Sequence, residues 1–173
     1  MAIWYEVEKT VEGIKQAREC NYDFHDYRLE KIDYVAAWDA VEIFLMYDSR
    51  EDGLLLRFAH VKDMHVNVDV DYHADWLDAC DIFLLKDGTL LFVVGTDEGN
   101  PDYQLTDELR HGLTWVQAER IFWAMTNAKR EPIELPADRI DDTWVIYGEK
   151  VEKHFELKEF DGDWESILRP RWE

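Results

Sequence analysis

The sequence has few of the residues that build disulfide, zinc or nucleophilic sites. Its only cysteines, Cys20 and Cys80, lie sixty residues apart, and neither belongs to a Cys-x-x-Cys pair. This usage excludes a disulfide framework and a cysteine-based zinc signature, and it predicts reduced thiols and a cytoplasmic protein. The only serines are Ser49 and Ser166, and neither occupies the Gly-x-Ser-x-Gly pattern of a serine hydrolase.

Long apolar runs are also missing. The runs at 43–47 and 90–94 are the length of a strand, whereas a membrane-spanning helix needs about 20 apolar residues. The first residues have neither the basic region nor the continuous apolar region of a signal peptide. We therefore expect a mature chain that begins at or near Met1 and does not bind membranes.

Positive charge is scarce. The chain has 19 lysine and arginine residues against 39 aspartate and glutamate residues, which gives a formal net charge of −20 and a pI near 4.5. Nucleic-acid phosphates and anionic membrane surfaces are bound through clustered lysine and arginine, so this balance argues against both ligands. By charge, the expected partner is a basic protein.

Apolar and aromatic residues, in contrast, are plentiful. They make up 47% and 14% of the chain, with eight residues each of Trp, Tyr and Phe. Disordered acidic proteins lack aromatic residues, whereas this composition is ample for one packed core. We predict a single α+β domain over residues 1–173, with residues 161–173 as a peripheral tail.

The first hundred residues have the period-two alternation of an antiparallel β meander. A strand is expected at Ile3–Glu8. A short helix should follow it, opened by Thr10, with Val11, Ile14 and Ala17 on one face. Further strands are predicted from Tyr27, at Val41–Tyr47 and at Leu54–His60, the last two forming a hairpin around the polar loop 48–53.

Two further hairpins are indicated by turn residues. Asp87-Gly88 stands between two apolar runs and suits a type I′ turn. Gly148-Glu149 suits a type II′ turn, followed by a second strand over Lys150–Phe160.

One principal helix is predicted in the C-terminal half. Thr114 with Gln117 three residues later forms a capping-box pattern, and the helix would run to about Ala128. The apolar residues assigned to its broad buried face are Val116, Ile121, Phe122, Trp123 and Met125. A shorter helix is predicted over Asp102–His111. The predicted class is therefore α+β, mainly an antiparallel β meander with this helix and a C-terminal hairpin.

Acidic residues are concentrated between Asp63 and Glu108, where twelve carboxylates face one cation, Lys86. Within this window, polar residues alternate strictly with apolar ones over 63–73, which places them on one face of a strand. A binding surface forms if this strand and the loop at 97–108 meet on one side of the fold. The predicted partner-binding residues are Asp63, Asp69, Asp71, Trp76, Asp97, Glu98 and Asp102.

The same strand also suggests a metal site, with His65, Asp69, Asp71 and His73 as candidate ligands. Same-face residues of a strand are about 6.6 Å apart, too far for all four to reach one ion at about 2.1 Å. The position of an EF-hand glycine is occupied by Tyr72 or Ala74. A half-exposed strand with a solvated polar face explains the pattern more simply. No cofactor and no catalytic residue is predicted.

A resemblance adds to this interpretation. The segment Phe24-His25-Asp26-Tyr27-Arg28-Leu29, with strands at 41–45 and 55–61, resembles a layout found in small uncharacterised bacterial proteins, some grouped with toxin-immunity proteins. It covers about residues 24–95. The resemblance implies an α+β or mostly-β domain that binds a partner and has no catalytic activity.

The function predicted from the sequence is therefore non-catalytic. We expect an acidic binding protein of the inhibitor or immunity type, from a bacterium or phage, that masks a basic protein surface, with nucleic-acid mimicry as one way of doing so. The alternatives are a metal-binding protein or enzyme that uses the strand from His65 to His73, and an acidic housekeeping protein whose charge keeps it in solution. Homodimer formation through a strand edge is a further expectation.

Overall fold

A computed structural model describes residues 2–25, 27–47, 52–66, 80–94 and 114–168. Antiparallel sheet dominates and helices are few, which confirms the mainly-β α+β class. No helix within these ranges has the length and apolarity to cross a membrane. The strands are β1 (Trp4–Glu6), β2 (Tyr27–Val35), β3 (Ala40–Tyr47), β4 (Gly53–His65), β5 (Cys80–Leu84), β6 (Leu90–Val94), β7 (Thr114–Thr126), β8 (Asp141–Ile146), β9 (Glu149–His154) and β10 (Lys158–Phe160). The helices are α1 (Val11–Cys20) and α2 (Ala137–Ile140), and 3-10 turns lie at Tyr22–Phe24 and Trp164–Ser166.

Within the described residues, eight strands form one sheet in the order β10-β1-β7-β4-β3-β2, with β6 also paired to β7 and β5 to β6. One edge of β7 pairs with β4 along almost its whole length. Its other edge is shared, because β1 pairs near its C-terminal end and β6 pairs with its N-terminal half. The strands β8 and β9 form a separate antiparallel pair.

Both faces of the large sheet are buried. Side chains such as Phe58, Phe92 and Trp123 build the main core on one face, where they pack with Ile14 of α1. A second cluster on the opposite face contains Trp4, Leu55 and Phe122 together with Ile167 and Leu168 from the C-terminal part of the chain. The sheet is thus covered on one side by α1 and on the other by the segment after β10.

The predicted helix over Thr114–Ala128 is wrong, because the structure has the 13-residue strand β7 there. Val116 and Ala118 face the main core, and so do Ile121 and Trp123. The face therefore switches between positions 118 and 121, which produces a three-residue spacing typical of a helix. Because both faces of β7 are buried, its apolar residues form a nearly continuous run, which resembles the broad apolar face of a buried helix.

The paired strand β4 makes the same switch. Phe58 and Val61 both face the main core, and between them His60 has a φ of 54°. A positive φ is uncommon for a residue with a side chain, and it allows the two strands to turn over together while staying paired. Gln117, the expected helix-capping residue, instead donates a hydrogen bond from Nε2 to Thr89 Oγ1 at 2.9 Å.

The hairpin predicted at Asp87-Gly88 is confirmed, since β5 and β6 pair on either side of it. Its turn differs from the expected type I′. Gly88 N donates to Leu85 O at 3.0 Å, and only Gly88, at φ 83°, has a positive φ. This is a three-residue loop with the glycine in the left-handed position, and Asp87 Oδ1 closes it by accepting from Thr89 N at 3.0 Å.

The pairing of β8 with β9 places the C-terminal turn one residue earlier than predicted. Tyr147 and Gly148 occupy its centre with φ of 52° and 78°, the pattern of a type I′ turn. The second strand ends at His154, and Lys158–Phe160 crosses to pair with β1. This crossing brings the two ends of the chain together.

The first helix begins where it was predicted. Thr10 caps α1 by accepting a hydrogen bond at Oγ1 from Gly13 N at 2.9 Å, the usual role of an N-cap threonine. Ile14, Ala17 and Cys20 are buried, but Val11 is 83% exposed. The predicted buried face is therefore right for Ile14 and Ala17 and wrong for Val11.

The opposite orientations of neighbouring β7 residues lead to a prediction. Phe122→Ala and Trp123→Ala should each lower the free energy of unfolding by about 3 to 5 kcal/mol, because each removes a large aromatic ring from one of the two clusters. Tyr147→Ala, at a position with 103% relative exposure, should change it by no more than about 0.5 kcal/mol. Urea unfolding followed by tryptophan fluorescence and circular dichroism measures all three. A small effect at either β7 position would contradict burial on both faces.

Candidate functional site

Only one predicted partner-binding residue lies within the described ranges. Asp63 is exposed near the end of β4, where its Oδ1 accepts a hydrogen bond from Met64 N at 2.9 Å. The remaining six, Asp69, Asp71, Trp76, Asp97, Glu98 and Asp102, lie outside the described residues, as does the helix predicted over 102–111. The proposed convergence of strand and loop stays a prediction.

Of the four candidate metal ligands, the described ranges likewise contain one, His65. The ring of His65 stacks on Trp115, with ring centroids 6.4 Å apart and planes at 24°. The other three, Asp69, Asp71 and His73, lie outside the described residues. Across the parts of the chain that the structure describes, no three His, Cys, Asp or Glu side chains form a group that could hold a metal ion.

A second acidic region emerges between residues 131 and 165, where twelve carboxylates face four cations. Arg139 is buried and donates to Cys20 O at 2.9 Å. Lys158 bonds Glu6, and Lys153 lies 3.7 Å from the centroid of a tryptophan ring and 3.4 Å from Glu19. These three cations interact with Glu6, Glu19, Cys20 and a tryptophan ring, so they leave most of the region's carboxylates without a cationic partner among the described residues.

Within this region three carboxylates line one open groove of about 590 Å³. Glu159 belongs to β10 and pairs in register with Tyr5, and Asp161 follows directly after that strand. Glu134 comes from the connection after β7, where Ile133 N bonds Met125 O at 2.9 Å and Leu135 is buried. The backbone therefore brings the three acidic residues together from two segments of the chain.

The groove has apolar walls beside its carboxylates. Ile3, Trp4 and Phe160 line it, and Trp4 belongs to a cluster of rings with centroids 4.6 to 4.9 Å apart. The other rings of this aromatic cluster are Phe122, Phe160 and Trp164. Rings at these distances form a rigid apolar surface, and flat walls next to fixed acceptors suit the long stem and charged head of lysine or arginine.

A neighbouring carboxylate is saturated by ion pairs. Glu6, whose side chain is only 7% exposed, accepts from Arg120 Nε at 2.6 Å and from Lys158 Nζ at 2.6 Å. In contrast, no lysine or arginine of the described ranges makes an ion pair with Glu134, Glu159 or Asp161. One aspartate contact is internal, since Asp161 Oδ1 accepts from Asp163 N at 2.9 Å. The groove thus retains the acceptor capacity that Glu6 has lost.

Both cysteines are buried, and so is Tyr27. Burial raises the pKa of the Cys20 thiol to about 11 and that of the Tyr27 hydroxyl to about 12, so neither ionises near neutral pH. Cys80 is also completely buried. A buried, protonated thiol is inert.

The groove residues were missed in the sequence, although one signal was available. The segment 131–165 has as many carboxylates as the window from Asp63 to Glu108 in fewer residues. The four cations of this segment make its net negative charge smaller than that of the window. The sequence does not show that three of these cations interact with other parts of the fold. The pairing of β1 with β10 could not be foreseen, because it joins residues about 150 positions apart.

One titration in this region is predictable. The carboxylate of Asp141 at the base of the β8–β9 hairpin raises the pKa of His154 above its ordinary value of 6.5 through a hydrogen bond and its charge. The contribution of this pair to stability is present below pH 6.5 and is lost as the pH rises through the raised pKa. Asp141→Asn should lower the pKa of His154, whereas Asp138→Asn, at an exposed position nearby, should change it little. NMR titration of the imidazole protons measures both variants, and an unshifted His154 in the unmodified protein would contradict the pair.

No family model, curated protein or solved structure matches this chain. The resemblance of residues 24–95 to small bacterial proteins stays a prediction.

Proposed function

We propose that this chain is a non-catalytic acidic protein that binds a basic surface of a partner protein and masks it, as an inhibitor or immunity protein does. The observation that carries this proposal is the convergence of Glu134, Glu159 and Asp161 on one open groove without a cationic partner among the described residues. The net charge of −20 also favours a basic partner.

The geometry explains why such a groove favours cationic side chains. The backbone at each of these residues is held by strand pairing or by hydrogen bonds beside it, so little backbone ordering is needed on binding. The walls of Ile3, Trp4 and Phe160 can cover the apolar stem of a lysine or arginine while its charged head reaches a carboxylate.

Long-range electrostatics adds a rate advantage. A chain with this net charge attracts a basic protein before contact, which can raise the association rate from about 10⁵–10⁶ to about 10⁸ M⁻¹s⁻¹ or more at low salt. Rapid capture suits an inhibitor or immunity protein that must reach its target before the target acts. Fixed carboxylates can also take the place of nucleic-acid phosphates in a basic binding site.

The proposal predicts a specific loss on neutralising the groove. Replacing Glu134, Glu159 and Asp161 by Gln, Gln and Asn should weaken binding of a lysine-rich peptide by roughly tenfold at low salt, since each exposed ion pair contributes about 0.2 to 1 kcal/mol. Isothermal titration calorimetry at two salt concentrations measures the affinity and its screening.

A matched control separates the groove from net charge. Neutralising the exposed residues Glu12, Glu149 and Glu152 changes the total charge equally but leaves the groove intact, and it should have a much smaller effect. Equal losses of affinity in both triple variants would show that the groove carboxylates act only through the overall charge. A natural partner, captured from cells at low and high salt, should be basic and should dissociate at high salt, and a salt-insensitive or acidic partner would refute the proposal.

A further inference from the structure

A second cavity lies on the other side of the aromatic cluster. It has a volume of about 270 Å³ and is partly open to solvent, and its walls include Val35, Trp38 and Ala40 from the β2–β3 end of the sheet and Trp164 and Leu168 from the C-terminal segment. Trp4, which lines the acidic groove, contacts Trp164 edge-on with ring centroids 4.9 Å apart. The two depressions are therefore neighbours, but they have no described lining residue in common.

Among the described residues, the only charged ones that line this cavity are Glu42 and Arg57, and they form an ion pair. Arg57 Nε and Nη2 both donate to Glu42 Oε1, at 2.8 and 2.6 Å. The guanidinium also lies over the rings of Trp4 and Trp164, 4.8 and 4.2 Å from their centroids. Both hydrogen bonds end on the same oxygen, so within the described ranges Glu42 Oε2 has no hydrogen-bond donor and can accept from a ligand.

The charges of this pair restrict what the cavity can hold. Because Arg57 already compensates the charge of Glu42, a cation would gain little from this carboxylate and would lie beside the guanidinium, whereas an anion would face the negative field of the whole chain. A neutral molecule avoids both penalties. The cavity thus differs in kind from the groove, where unpaired carboxylates favour cations.

Size and wall chemistry narrow the choice further. An apolar cavity of about 150 Å³ accepts benzene, so the volume here accommodates a ring system with two fused rings. The indoles of Trp38 and Trp164 offer aromatic contacts to such a ring. The free oxygen of Glu42 can accept one hydrogen bond from it.

We infer that this cavity is a binding site for a small neutral aromatic molecule that carries one hydrogen-bond donor, such as an indole. The site is independent of the proposed groove, since it uses other residues and an uncharged ligand. Its ligand would stack on the tryptophan walls and donate to Glu42 Oε2.

Titration of the full chain with indole tests the site. The indole N–H signals of Trp38 and Trp164 should shift saturably in ¹H–¹⁵N spectra, with a Kd of about 0.1 to 10 mM as expected for a ligand of this size. Benzofuran has the same shape without the donor and should bind about tenfold more weakly, because it leaves Glu42 without its hydrogen bond. Trp144, on the separate hairpin, should not shift and serves as the internal control.

Variants decide between this cavity and other surfaces. Val35→Phe, which fills the cavity, and Trp38→Leu, which removes one wall, should each weaken indole binding at least several-fold, while Trp144→Leu should leave it unchanged. Circular dichroism verifies that each variant is folded. Three results would overturn the inference: no saturable shift with indole, equal affinity for indole and benzofuran, or binding of indole-3-acetate or benzamidine as tight as that of indole. Unchanged binding in both cavity variants would do the same.

Discussion

The backbone pairing of β7 is the interaction on which the rest of the structure depends. This strand hydrogen-bonds to β4 along one edge and to β1 and β6 along the other, so nearly all of its buried N–H and C=O groups can be paired inside the sheet. Because β1 also pairs with β10, the first and last strands lie side by side. The acidic groove exists only because this arrangement brings Ile3, Glu134 and Glu159 to the same edge.

A second, local constraint holds the covering layer in place. Tyr22, Asp23 and Phe24 all have φ between 53° and 58°, a conformation that costs about 1 to 2 kcal/mol for each residue with a side chain. Burial of Phe24 against Phe92 offsets this cost. The guanidinium of Arg139 lies 4.6 Å from the Tyr22 ring and donates to Cys20 O, which ties the end of α1 to α2.

Sequence patterns predicted the structure where one local cause decides it. Thr10 capped α1 as expected, and a hairpin formed at Asp87-Gly88, because an N-cap and a glycine turn are set by a few adjacent residues. Sequence patterns gave the wrong prediction for β7. The buried residues of this strand change faces opposite His60 of β4, and this change depends on long-range pairing. The candidate site was less predictable still, because its carboxylates meet only through β10, and six of the seven predicted partner residues fall outside the described ranges.

Net charge alone therefore does not locate function in this protein. Glu6, Glu42 and Glu134 are the same residue type, yet pairing gives them three different roles. Glu6 joins Arg120 to Lys158 across three strands, Glu42 neutralises Arg57 beside a cavity, and Glu134 remains unpaired among the described residues on a groove. A charge that is paired inside the fold stabilises or shapes it, and only an unpaired one can attract a partner. For so acidic a chain, the informative quantity is the distribution of its cations, because the few lysines and arginines decide which carboxylates are left for binding.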